Sequence, residues 1–167
     1  MARQAAGKIA APPLEADDAE IDLGILNDVI GFRIRRIQNH LSRAFLARAE
    51  RYGVKPGSFS AMALISANPG ISQIALSREI GFDKATVVAL IDGLERAGWA
   101  ERRRPPGDRR RYALYATPKG QDVLSDLRAQ AIDAEQPIRG ALTAVELEQL
   151  FGLLDKIYAS CFVDLAT

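Results

Sequence analysis

Residues 83–120, DKATVVALIDGLERAGWAERRRPPGDRRRYALYATPKG, constrain this chain most, because a short amphipathic helix there runs straight into an arginine-laden hairpin. Asp83 is a good N-cap, and Val87, Leu90, Ile91 and Leu94 recur at helical spacing to give one apolar face, which Gly98 ends. The opposite face carries Lys84, Ala85, Val88, Ala89, Asp92 and Gly93, mostly small side chains that let a surface such as a DNA major groove approach closely. Residues 99–104 and 111–116 suit two short strands joined by Pro105, Pro106, Gly107 and Asp108. This hairpin holds Arg102, Arg103, Arg104, Arg109, Arg110 and Arg111 against Glu101 and Asp108, in a chain whose net formal charge is only +1. Taken alone, such a charge run reads as a solvated loop with scattered ion pairs. Beside a recognition-type helix it reads as a wing that neutralises phosphates and enters a narrow minor groove.

The rest of the chain is read around that core. At 167 residues, 48% of them hydrophobic, it is long enough for one domain with a real core. No window approaches the ~18 consecutive apolar residues of a membrane span, and the Ala- and Pro-rich start has no apolar h-region. A soluble, cytoplasmic protein without a membrane partner is expected, and the single cysteine fits a reducing compartment. A long amphipathic helix is predicted over residues 25–52, carrying Leu26, Val29, Ile30, Ile37, Leu41 and Phe45 and ended by Gly53. A second spans 58–68 with Phe59, Met62 and Ile65 toward the core, and a third opens at Ser72 and closes near Gly81. After the hairpin, Thr117 and Pro118 start a fifth helix that runs towards Glu135, and Pro137 interrupts or ends it. Thr143 and Glu146 then form a capping box for a sixth, whose stripe includes Leu150, Leu154 and Ile157.

The D-x-R of DRRRYALYATPKG followed by Thr-x-x-Gly, behind DKATVVALIDGLERAGW, resembles the signature of the MarR family of bacterial transcription regulators. The likeness extends from about residue 25 to about residue 162. It implies a mainly α fold with a small β-hairpin wing (α+β), a winged helix-turn-helix core with N- and C-terminal dimerisation helices. The expected layout is a flexible arm over 1–22 and one domain over 23–167, with dimerisation helices over about 25–52 and 118–165 around a core over about 56–117. Carried over by residue, the resemblance makes Arg110 the side chain that enters the minor groove and Asp108 the carboxylate that orients it; the plain alternative for Asp108 is an ordinary turn residue, and both readings can hold at once. The DNA-facing set is Lys84, Ala85, Thr86, Val88, Ala89, Arg104, Asp108, Arg109, Arg110 and Arg111. The chain departs from the family pattern in two places: Ala116 stands where leucine commonly precedes the Thr-x-x-Gly, and Val88 and Ala89 stand where many relatives are polar. With those two apolar, Lys84 and Thr86 remain as polar readers, and thymine-methyl contacts and groove shape carry the rest.

A chain of this size cannot easily bury both terminal helices in itself, so a homodimer on a pseudo-palindrome of double-stranded DNA is expected. The resemblance implies a repressor released by a small effector, an aromatic acid or its coenzyme A ester. Arg36, His40, Arg43, Ala44, Phe59 and Met62 are the candidate effector residues, with solvated arginines and a packing histidine as the plain alternative. Cys161 reads as inert core within an apolar stripe rather than a redox switch. One histidine and one cysteine give no metal-ligand spacing, no nucleophile elbow and no phosphate loop, so neither catalytic residues nor a metal nor a cofactor is expected. Asp122, Asp126, Asp133 and Glu135 read as solvated charges. The competing reading is an architectural or partner-binding winged helix with no effector, which a net charge near zero argues against.

Overall fold

The computed structural model describes residues 21–104 and 112–162. The chain separates into two units, Met1–His40 and Leu41–Thr167, with α1 (Ile30–Arg48) beginning in the first and ending in the second.

In the first unit the helix predicted from residue 25 is not continuous. Residues Gly24–Asp28 form a 3-10 turn, started by Gly24 at φ +52° with its N–H donated to Asp22 Oδ1 at 3.0 Å. Val29 is then extended, at φ −98° and ψ 105°, and α1 begins only after it. The β-branched pair Val29–Ile30 followed by Gly31 is a poor helical start, which explains the break. Ile25, Ile30, Ile34 and Ile37 are all exposed.

The second unit holds the core. The first helix ends at Arg48, and a separate 3-10 turn, Glu50–Tyr52, closes on Gly53 in the left-handed conformation at φ 62°. Helices α2 (Ser58–Ala67), α3 (Gln73–Ile80) and α4 (Lys84–Arg96) follow, and each comes within a residue or two of its predicted span. Met62 and Ile65 of α2, Leu76 of α3, and Val87, Ile91 and Leu94 of α4 are buried in one cluster. The wing is the antiparallel pair β2 (Ala100–Arg103) and β3 (Ala113–Ala116), with Ala100 opposite Ala116 and Arg103 opposite Ala113. A third strand, β1 (Ile71–Ser72), pairs with β3 to give the order β1-β3-β2. The sequence reading missed it, because two residues are too few to show an alternating pattern.

Thr117 caps α5 (Pro118–Ala134), which α6 (Gln136–Arg139) follows directly with Pro137 in its first turn. The capping box before α7 (Ala144–Phe162) forms as expected: Thr143 N–H donates to Glu146 Oε2 at 2.8 Å and Glu146 N–H to Thr143 Oγ1 at 3.3 Å. The Thr143 N–H and then its hydroxyl, which also donates to Glu146 Oε2 at 2.8 Å, hold the Glu146 carboxyl below its ordinary range. Helix α7 buries none of its residues in the chain, and Phe151, Leu154, Ile157 and Tyr158 lie exposed along it. Cys161 is exposed there too, which corrects its reading as a core residue: the stripe it belongs to is uncovered within this chain. No helix among the described residues is long and apolar enough to cross a membrane.

Candidate nucleic-acid interface

The step from α3 to α4 is fixed by local hydrogen bonds. Ser72 Oγ accepts the Ala75 N–H at 3.1 Å at the start of α3, and Gly81, at φ 75°, ends that helix with its N–H on Ser77 O. Ser77 Oγ donates across the turn to Phe82 O at 2.7 Å. Asp83 then caps α4: its Oδ1 accepts the Thr86 N–H at 3.0 Å and its Oδ2 the Thr86 hydroxyl. These bonds, the Thr86 hydroxyl first, hold the Asp83 carboxyl below the usual carboxylate range. The Thr86 hydroxyl proton is therefore committed to the cap, which leaves this side chain its oxygen lone pairs and its methyl group for any outside contact.

With one face of α4 buried, the other forms a shallow, mainly apolar depression lined by Lys84, Ala85, Val88, Ala89 and Asp92. The small-residue face read from the sequence is thus the outward one. Lys84 supplies the positive charge at its N-terminal end.

In the wing, the arginines that look alike in sequence have different environments. Arg102 is turned inward, its side chain only 16% exposed: Nη2 lies 2.7 Å from Asp92 Oδ1, and Nη1 is paired with Glu95 Oε2. Its backbone N–H donates to Glu95 Oε1 at 2.8 Å. Gln73, with its amide oxygen turned to the guanidinium, accepts from Nε at 2.8 Å and from Nη2 at 3.1 Å. Arg103 pairs with Glu101 and lies over the Tyr115 ring at 4.5 Å. Arg104 is exposed, donating to the Tyr112 hydroxyl at 2.9 Å with its guanidinium 5.3 Å from that ring's centre. Asp108, Arg109, Arg110 and Arg111 lie outside the described residues.

The Thr-x-x-Gly pair anchors the wing's exit. Thr117 Oγ1 donates to Gly98 O at 2.7 Å and accepts the Gly120 N–H at 3.0 Å, while the Thr117 N–H donates to Trp99 O at 3.0 Å. Lys119 Nζ adds a bond to Ala97 O at 2.8 Å.

This geometry matches known proteins. The sequence model of the MarR family fits residues 52–111. A Thauera aromatica protein assigned to transcriptional regulation of the hcr operon is 33% identical over 147 residues, covering 87% of this chain and 89% of its own. The chain belongs to the MarR family. Among solved MarR-type structures, the transcriptional repressor CouR bound to a 23-mer DNA duplex superimposes with a TM-score of 0.75 at 28% identity, over 83% of this chain and 99% of that one. CouR from Rhodococcus jostii RHA1 bound to p-coumaroyl-CoA gives 0.71 at 25% identity, over 82% and 94%. The protein is therefore a winged-helix, DNA-binding transcriptional regulator of the MarR family, and members of that family are regulators rather than enzymes.

The candidate effector residues of this MarR-family chain fall in varied settings. Arg36 is exposed on α1 with its guanidinium 5.8 Å from the Phe32 ring centre, and His40 is exposed on the same helix. Arg43 is exposed and Ala44 half-buried, the latter's carbonyl accepting from Arg48 Nη1 at 3.1 Å. Phe59 is half-buried with its ring 5.6 Å from that of Phe45, whereas Met62 is fully buried in the core. One polar link escaped the sequence reading altogether. Tyr52 donates its hydroxyl to Asp126 Oδ2 at 2.6 Å and accepts from Arg51, so Asp126 is not the merely solvated charge expected of it. Glu135 likewise is half-buried and pairs with Arg139 at 2.7 Å. The Tyr52–Asp126 link leaves no signal in helical spacing because its partners are far apart in sequence, whereas Glu135 and Arg139 stand at the i, i+4 spacing that could have disclosed their pair.

Proposed function

We propose that this regulator is a homodimeric repressor that holds a pseudo-palindromic operator and leaves it when a small aromatic acid, as its coenzyme A thioester, binds. The observation that carries the reading is the outward face of α4, uncovered and lined by Lys84, Ala85, Val88 and Ala89 beside an arginine-bearing wing. Two such faces related by a two-fold axis would enter major grooves about one helical turn, ~10 bp, apart. The exposed apolar residues of α7 support self-association, because a surface of that kind is ordinarily covered by a partner. The effector class is supported by the likeness to CouR, seen both on DNA and with p-coumaroyl-CoA.

Within this reading, Val88 and Ala89 contact thymine methyl groups, Lys84, Arg104, Arg109 and Arg111 hold phosphates, and Arg110 enters the minor groove. The test is fluorescence anisotropy on DNA from upstream of the protein's own gene, with competitor DNA, against a panel of aromatic acids and their coenzyme A esters. Tight binding that one thioester releases is the expected result, with light scattering giving twice the chain mass. Binding that many unrelated duplexes share equally, and that no compound weakens, would favour an architectural protein instead. Substituting uracil for thymine in the bound duplex is expected to weaken it; unchanged affinity would dismiss the methyl contacts.

A further inference from the structure

Of the wing arginines described, Arg102 is the one whose charge is spent inside the molecule. Its Nε, Nη1 and Nη2 groups all reach protein acceptors, on Gln73 of α3 and on Asp92 and Glu95 of α4. Nη2 also lies 3.5 Å from the Val88 carbonyl oxygen. A guanidinium is a rigid planar fork, so contacts on several of its nitrogens fix the position of the strand that carries it. The strand here is β2, and its backbone N–H at the same residue is bonded to Glu95 as well. One residue thus joins the base of the wing to the C-terminal part of the recognition helix and to the start of the helix before it.

One of the two carboxylates, Asp92, sits in a place where DNA would find it unwelcome. Asp92 lines the outward depression of α4, and its side chain remains 42% exposed despite the ion pair. An uncompensated carboxylate there would face phosphate at close range. Arg102 neutralises it from behind, without itself projecting to the outer surface.

Resting on the reading that α4 and the wing hold DNA, we infer that Arg102 is the positioning residue for sequence selection. It sets the wing at a fixed distance from α4, so that phosphate contacts made by the wing put α4 in register with the bases. Lys84, Arg104 and the remaining arginines attract DNA; Arg102 decides how it is seated.

Simple electrostatics and this inference differ on the selectivity of one variant. Replacing Asp92→Asn together with Glu95→Gln removes two negative charges from the DNA-facing helix while keeping side-chain size. If those carboxylates served only as surface charges, affinity for every duplex would rise in proportion. If they anchor Arg102, affinity for unselected DNA rises but selectivity is lost.

The experiment uses the full chain and two duplexes, the one that the wild type selects from a random library and a scrambled duplex of equal composition. Anisotropy titrations are expected to show the selected-to-scrambled affinity ratio falling at least about tenfold in the carboxamide pair, comparable to losing one or more base-pair preferences. Arg102→Met is expected to lower the same ratio, with circular dichroism reporting whether it folds. The carboxamide pair keeps both side chains' size, so it decides the matter even if Arg102→Met does not fold. A ratio unchanged in the carboxamide pair would overturn the inference alone. A wild type with no selected duplex would overturn it together with the regulator reading.

Discussion

Replacing Gly120 with alanine is expected to cost about 3 kcal/mol or more of folding stability, the upper end of what overpacking a filled core loses. A Cβ built at Gly120 would stand 1.9 Å from the Trp99 carbonyl oxygen and 2.9 Å from Met62 Cε. The methionine tip can swing aside, but the backbone carbonyl cannot. It is held by the bond from Thr117 N–H to Trp99 O, and the Thr117 hydroxyl fixes the neighbouring Gly98 carbonyl. Helix α5 would have to lift from the wing's exit, giving up the Gly120 N–H bond to Thr117 at the same time. Urea denaturation followed by circular dichroism measures the loss; a shift below about 1 kcal/mol would show that α5 moves freely, contrary to this packing. Gly93→Ala is the matched contrast. A Cβ there meets nothing closer than Arg96 Nη2 at 3.9 Å, and the position is helical, in the last turn of α4. That substitution is expected to stabilise by up to about 1 kcal/mol, since alanine is the better helix former.

Gly120 also marks how far the sequence could be read. Its spacing from Thr117 identified the motif, and the Thr117 cap followed from side-chain chemistry, but the crowding that demands glycine depends on where Trp99 lies. Helix α4 was legible almost to the residue because a local cap at Asp83 and an apolar repeat agree, both being properties of adjacent residues. The first helix was overextended because the apolar repeat continues through Val29 while the backbone there does not. In the wing, nothing in ERRR distinguishes Arg102 from its neighbours. Strand alternation sends it to the side facing α4, where Asp92 and Glu95 wait one helical turn apart, and only the fold brings those carboxylates within reach. The candidate effector residues were the least legible, since a pocket is a relation among distant elements that helical spacing does not encode.

Affinity for the selected DNA duplex is expected to fall by about 10³ or more between 50 and 200 mM salt, the drop associated with six or more neutralised phosphates. On the proposed interface the cations are Lys84, Arg104, Arg109, Arg110 and Arg111, a set that the proposed dimer would double. Arg102 is excluded because its guanidinium is bonded within the protein, and Arg103 is already paired with Glu101. The count therefore exceeds six only if two protomers bind together, so the steepness of the response reports on dimeric binding as well as on the wing. Single substitutions separate the two kinds of arginine. Arg110→Ala is expected to reduce the slope of log affinity against log salt by about 2 per dimer, one counterion-releasing contact from each copy. Arg102→Met is expected to leave that slope unchanged while lowering selectivity, because it touches no phosphate. A shallow response in the wild type would remove the wing from the DNA interface. An equal loss of slope in both variants would place Arg102 among the phosphate contacts and return its carboxylate partners to the surface.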